Sequence, residues 1–412
     1  MTQPFTQFDA ILNILLLVTV ITLFARRFRV PYTVALIFAG LLATLYQFPL
    51  FSISSDIVIS LLLPPIIFEE TLNLDIDGLI DDSDIILSYA VAGTLIMVVA
   101  VALFAYFLSG FTFLEAFLLG IIIAPTDPVA VIATFRSLGV VKRFELLVAG
   151  ESLFNDGVAI VVYSILVSAI SLGAMAPFSI LRISIISIVG GILIGVAGGY
   201  IVHLIFCWTD DKFVEVMLSF LAAFGVFRVA EELGASGVIA TVLAGLIINY
   251  RCRRFGGIGD ETKEMLDAMW EFVAFTASGV AFIFVGTYLD LGLLVKFMWP
   301  VVALTIFILW ARYWMVDGIA RARGLFGKPI PSNWRFGIFW SGLRGAVSVV
   351  LVLGISTLNL PHLEEMTALT YGVVLSTNLL QGLTMSTIVR GLNLSAKSED
   401  AKPPDVDNPD EG

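Results

Sequence analysis

Four polar side chains interrupt an apolar run long enough to cross a bilayer: Glu151, Ser152, Asn155 and Asp156, in the segment GESLFNDGVA from Gly150 to Ala159. Helical residues advance about 100° each, so Ser152 and Asp156 share one face by their i,i+4 spacing, and Glu151 and Asn155 share the face beside it. Taking one carboxylate to the bilayer centre costs at least ~2.5 kcal/mol even on the most lenient scale. Two in one span therefore call for partners or for a task. Three other apolar segments carry groups of the same kind: Glu69 in LLLPPIIFEE, Thr126 and Asp127 in APTDP, and Arg344 in GLRGA. Carboxylate, hydroxyl and amide oxygens are hard ligands that suit a dehydrated alkali cation, and no Cys/His cluster offers a transition-metal site. The competing reading is a purely stabilising buried polar network. Such a network leaves few carboxylates over, whereas here they outnumber the one deep arginine, Arg344, whose expected partner is Glu151.

The elements that must position these groups follow from composition. Of 412 residues, 58% are hydrophobic and 14% charged, and the mean hydropathy is +0.98, which points to an all-α polytopic membrane protein resident in a lipid bilayer. A net charge of -11, with the basic residues confined to short loops, excludes nucleic acid as a partner. The start, MTQPFTQFDA, has neither a positive n-region nor a cleavage site, so the first span is expected to remain in the mature protein. Windows of ~20 apolar residues place thirteen transmembrane helices at roughly 8–25, 30–48, 53–70, 85–108, 113–135, 144–170, 181–206, 213–231, 234–250, 265–289, 292–318, 334–356 and 367–390. Arg26, Arg27 and Arg29, then Arg136, Lys142 and Arg143, then Arg251, Arg253 and Arg254, then Arg321 and Arg323 all follow odd-numbered spans. By the positive-inside rule the N-terminus is expected outside and the C-terminus in the cytoplasm, across a cell (inner) membrane. Cys207 and Cys252 then share the reducing side, and no disulfide is expected.

Thirteen spans divide as six, one and six, and the two sixes begin on opposite sides, as an inverted-topology repeat requires. The fifth span of each half is interrupted. In APTDPVA, Pro128 lacks an N–H and its ring clashes with the carbonyl near Ala124, while Pro125 disfavours helix at Ala124. In SGLRGAVS, Gly342 and Gly345 flank Arg344 and weaken the helix. Unwound backbone at this depth is tolerated only inside protein or against a watery cavity. Smaller features read more plainly. Gly191, Gly195 and Gly199 form a ridge for close helix packing. His203 and His362 read as surface residues, Arg228, Glu231 and Glu232 as an interfacial ion pair, and LDIDGLIDDSD as a solvated turn with a cation-drawing funnel as the alternative. Residues 395–412, acidic and proline-rich, read as a disordered cytoplasmic tail.

The motifs PPIIFE, TDPVAV, GESLFNDGVA and GLRGAVS, in this order and spacing, resemble those of the NhaP/NHE type of sodium/proton antiporter, from the first span to about Arg390. The resemblance implies a cation/proton antiporter-like fold with two unwound crossing helices. Within a transmembrane domain of residues 1–394 it implies a core bundle of about 85–170 and 292–390, with the remaining spans serving dimerisation and scaffold in a homodimer. It makes Asp156 the shared site of cation and proton and Asp127 its support, so that Na+ is held at Asp156 and Asp127. Thr126 (through its backbone), Ser152, Asn155 and Glu69 complete the implied ion-binding set, and Glu151 with Arg344 becomes a structural ion pair. Exchange of Na+ or Li+ for H+, for pH and sodium homeostasis, is the implied activity, without cofactor and without enzymatic chemistry. The Asn-Asp pair resembles electroneutral, one-for-one relatives. A K+/H+ antiporter of the same fold is the alternative, because cavity size rather than ligand type separates these ions. An intramembrane aspartyl protease is disfavoured, since GIGD at Gly257 to Asp260 falls in a basic loop.

Overall fold

The computed structural model describes the chain apart from residues 1–2, 29–30, 46–54, 109, 128, 172–176, 210, 289–290, 326–328, 356–357, 359 and 395–412. Pro128 and the acidic tail thus lie outside the described residues. Helical segments lie at all thirteen expected places among the described residues, seven of them long and apolar enough on their own to cross a membrane: Gln3–Phe28, Tyr32–Leu45, Ser55–Asn73, 83–108, 113–138, Lys142–Ser171, Pro177–Phe206, 212–232, Gly237–Phe255, Asp260–Tyr288, Met298–Gly324, 332–354 and 363–391. Most ends fall within a few residues of expectation. The eleventh is displaced toward its C-terminus because a separate short helix, Leu291–Lys296, precedes it, and this brings Arg312 to mid-span.

Both expected interruptions occur. The fifth span is helical over Phe113–Ile123, leaves the helix across 124–127, and is helical again over Val129–Leu138. A capping box starts it: the Thr112 side chain accepts from the Glu115 N–H while Glu115 accepts from the Thr112 N–H. The twelfth span is helical over Ser332–Trp340 and Ala346–Gly354, with Ser341 to Gly345 unwound between. The two breaks cross, and the Asp127 N–H donates to the Leu343 carbonyl at 2.8 Å. That approach needs glycine on one side. A Cβ at Gly342 would overlap the guanidinium of Arg312, and one at Gly345 would overlap the side chain of Asp127.

The expected pairing of Glu151 with Arg344 is corrected. Glu151 is bound by Arg312, with Nη2 at 3.0 Å from Oε1 and 3.1 Å from Oε2, and the two side chains are 4% and 3% exposed. Arg312 also donates to the carbonyls of Ile338 and Phe339, at 3.1 and 3.2 Å. Arg344 turns the other way, donating to the carbonyls of Ala124 and Pro125. The cause is backbone chemistry: the last carbonyls of the half-helix Phe113–Ile123 have no intrahelical partner and carry the negative end of its dipole, so a guanidinium is drawn there. A second deep arginine was thus hidden in the eleventh span.

The periphery brings other corrections. His203 is buried rather than at the surface, with its ring nitrogens 3.7 Å from the sulfurs of Cys207 and Cys252. His362 lies at the surface as expected, its side chain 36% exposed, and contacts Glu115 at 2.9 Å. The acidic loop is solvated as expected at Asp75, Asp77, Asp81 and Asp84, which are exposed, but it is also tied to its neighbours. Asp82 accepts two hydrogen bonds from Arg143, Asp84 pairs with Arg323, and Asp75 lies 3.9 Å from Arg253. Arg228 pairs with Glu232 at the surface as expected, at 2.9 Å. The glycine ridge of the seventh span packs on the ninth: a Cβ at Gly195 would meet the Ala240 carbonyl oxygen at 2.5 Å and its Cα at 2.8 Å.

Two stability measurements follow from this frame. Arg312→Ala leaves Glu151 buried and unpaired and is expected to cost ~3–5 kcal/mol, with most of it recovered in the double variant Glu151→Leu/Arg312→Met; thermal unfolding of purified protein reads both. Gly195→Ala gains about 1 kcal/mol of helix propensity but presses on backbone that cannot rotate away, an overpacking cost of ~1–3 kcal/mol. The clash should win, and a lowered unfolding midpoint is the expected result.

Candidate cation site

Helical phase divides the sixth span's polar cluster. Glu151 faces Arg312, as described, while Ser152, Asn155 and Asp156 meet the break in the fifth span. Asn155 holds Thr126 twice, its Oδ1 accepting from the Thr126 N–H at 3.3 Å and its Nδ2 donating to Thr126 Oγ1 at 2.7 Å. Ser152 Oγ donates to the Thr126 carbonyl and lies 3.3 Å from Thr126 Oγ1. The unwound peptide, which no helix can satisfy, is therefore tied down by the neighbouring span. Asp127 Oδ1 accepts from the Val129 N–H at 2.9 Å, close to the start of the half-helix Ala346–Gly354, whose N-terminus favours negative charge.

Around this knot lies a cavity of about 10 Å³, the lower end of what one water-sized particle needs. Glu70, Thr126, Asp127 and Asp156 supply its polar lining, and Ile66 and Val347 are among its apolar walls. Asp156 is 5% exposed, and its Oδ1 has no hydrogen-bond partner among the described residues. A buried carboxylate oxygen left without a donor is costly, and a cation or a proton would relieve that cost. The cavity has room for about one water-sized particle, lined by carboxylate and hydroxyl groups and by apolar residues.

Of the residues expected from sequence, Thr126, Asp127, Ser152, Asn155 and Asp156 come together. Glu69 does not. Its carboxylate accepts from Asn73 Nδ2 at 2.8 Å, and the third span, which contains Pro64 and Pro65, turns the next residue, Glu70, to the cavity in register with Ile66 one turn earlier. Ser152 and Asn155 also differ from expectation in one respect: they line no part of the cavity, and their hydrogen bonds hold Thr126 rather than face an ion. Sequence reasoning missed Glu70 and Arg312. For Glu70 the signal was the i,i+4 step from Ile66, and for Arg312 it was a single guanidinium within ALTIFILWARYWMV. Behind the site a second layer holds the twelfth-span break. The Arg344 N–H donates to Thr377 Oγ1 at 3.3 Å, Asn378 Nδ2 donates to the Arg344 carbonyl at 2.6 Å, and Thr33 Oγ1 donates to Asn378 Oδ1 at 3.1 Å. Asn378 opens a wide-turn segment, Asn378–Gly382, within the last span, a distortion that often accompanies functional sites.

Known proteins resemble this chain along nearly all of its length. It is 34% identical to a Na(+)/H(+) antiporter, ApNhaP, of Aphanothece halophytica, over 94% of this chain and 75% of that protein. It is 33% identical to the Na(+)/H(+) antiporter NhaP of Pseudomonas aeruginosa over 82% of this chain and 81% of that protein. The fold matches the solved structure of the sodium proton antiporter MjNhaP1 from Methanocaldococcus jannaschii with a TM-score of 0.79 at 18% identity, covering 94% of this chain and 99% of that one. The family described as sodium/hydrogen exchanger, transmembrane, matches residues 14–391, an interval that includes both helix breaks, the polar cluster of the sixth span and Arg344. The chain belongs to the transmembrane sodium/hydrogen exchanger family.

Proposed function

We propose that this protein exchanges Na+ or Li+ for H+ across the membrane by alternating access, one ion for one proton, and so serves pH and sodium homeostasis. The observation that carries the reading is the Oδ1 of Asp156, without a partner among the described residues, in a cavity of about 10 Å³ beside Asp127 and the unwound peptide at Thr126. The names of the relatives support it. A carboxylate in such a place is neutralised by a proton or by a cation, not by both. If only neutralised states cross, the two fluxes are coupled without the ions meeting. Asp156 is assigned as the shared site, Asp127, Glu70 and the Thr126 backbone as its surroundings, and Ser152 and Asn155 as positioning residues. Glu151 and Arg312 take no direct part.

The moving body is assigned to residues of about 85–170 and 292–390, and the remaining spans to a scaffold through which two copies form a homodimer. Asn249 is consistent with that division. Its Nδ2 donates to the carbonyls of Thr71 and Leu74, at 2.8 and 3.0 Å, and so ties the end of the third span to the ninth. The membrane is assigned as the cell (inner) membrane with the N-terminus outside, in keeping with the basic loops.

The test is ion-driven proton movement in proteoliposomes with an acid interior. External Na+ or Li+ is expected to alkalinise the lumen for wild type, and Asp156→Asn, nearly isosteric, to abolish this while unfolding at the wild-type temperature. An effect of K+ alone would replace the substrate; silence with every cation would overturn the reading. Under an imposed membrane potential the wild-type rate is expected to stay unchanged, and a flux that follows the potential would contradict one-for-one exchange.

A further inference from the structure

The arginines at the basic end of the bundle are of two kinds. Arg136, Arg143, Arg253, Arg321 and Arg323 each pair with a carboxylate. Arg251 pairs with none among the described residues. It lies at the end of the ninth span with its guanidinium against two rings, 4.9 Å from the centroid of Tyr200 and 4.6 Å from that of Phe255. The rings hold it in place through cation–π attraction. Its Nε is shut off from water and has no acceptor among the described residues. Arg254, one turn further along and also without a carboxylate, adds to the positive field, its guanidinium 5.8 Å from the Tyr250 ring.

The surface beside Arg251 is apolar and uncovered. The seventh span is the least buried of the seven long spans, and Val196, Tyr200, Ile201 and Leu204 lead down its exposed face to Trp208, which is 88% exposed. Exposed tryptophan at a span's end marks the headgroup level of a membrane. A fixed, partly desolvated guanidinium against Tyr200 and Phe255, toward that end of the span and beside an apolar strip, matches a molecule with a phosphate at one end and hydrocarbon at the other.

We infer that Arg251 anchors the phosphate of an anionic phospholipid whose acyl chains lie along the exposed face of the seventh span. The planar N–H fork suits a phosphodiester, and basic pockets between helices at this side of a membrane are suited to anionic headgroups. A soluble anion would leave the apolar strip unused. A zwitterionic lipid would bring its own cation beside Arg254.

The experiment uses the full chain, delipidated in neutral detergent, with phosphatidylglycerol and phosphatidylcholine as probes, bound lipid counted by native mass spectrometry and the unfolding midpoint followed in parallel. For wild type, phosphatidylglycerol is expected to bind about tenfold more tightly than phosphatidylcholine and to raise the midpoint. Arg251→Gln should lose that preference, and Arg251→Lys, with the charge but not the fork, should keep part of it. Equal binding of the two lipids by wild type, or an undiminished preference in Arg251→Gln, overturns the assignment. So does full protection by inorganic phosphate with no lipid bound, which would make this a free-anion site. Protection that tracks the dimer mass instead of lipid occupancy would give the face to a second copy. Should Arg251→Gln not fold, Phe255→Leu is read instead; it removes one ring and keeps the charge, and an unchanged preference there counts against the proposal.

Discussion

Two stretches of unwound backbone meet inside the bundle, and their peptide groups must be satisfied by the protein itself because hydrocarbon offers no hydrogen bonds. Most of the polar residues at the centre do this work. The Asp127 N–H reaches Leu343, the Thr126 peptide is held by Asn155 and Ser152, and the carbonyls of Ala124 and Pro125 are held by Arg344. Asn378 and Thr377 do the same for Arg344's own peptide. Removing one such partner strands a buried donor or acceptor, a loss of ~1–3 kcal/mol at least. The arrangement therefore stands or falls as a unit.

Charge is apportioned by the same demand. Arg312 neutralises Glu151, and Arg344 is occupied with carbonyls. Glu70, Asp127 and Asp156 remain around the cavity, which no arginine or lysine lines among the described residues, although Arg344 lies within electrostatic reach of Asp156. Had Arg344 paired with Glu151 instead, the carbonyl end of the first half-helix would be unsatisfied and Arg312 would be buried without a counter-charge. The observed allotment gives those carbonyls a donor and Arg312 a counter-charge, while Nε and Nη2 of Arg344 find no acceptor among the described residues.

The frame around this centre is built for close and fixed contact. Glycines of the seventh span lie on backbone of the ninth, and Asn249 ties the third span to the ninth. At the basic end, Asp82 and Asp84 hold arginines from the start of the sixth span and the end of the eleventh. A loop that looks only solvated in one dimension thus carries cross-links in three, to the sixth, ninth and eleventh spans.

Hydropathy, loop charge and the punctuation of APTDP and SGLRGAVS made the thirteen spans, the two breaks and the cluster Thr126, Asp127, Ser152, Asn155 and Asp156 legible in the sequence. Those signals are local: a span's length, a proline's missing N–H and an i,i+4 step are properties of neighbouring residues. Partner choice is not. That Glu151 takes Arg312 and not Arg344 depends on where the eleventh span begins and on which carbonyls lack partners. That Glu70 rather than Glu69 faces the cavity depends on the rotation of the third span against the break, a difference of about 100° per residue. His203, between Cys207 one turn on and Cys252, and Arg251, between Phe255 one turn on and Tyr200, likewise each take one partner from a span distant in sequence. The chain itself determined which groups had to be buried, and tertiary packing decided how they were shared, because a buried charge or peptide accepts whichever partner the crossing of helices brings within reach.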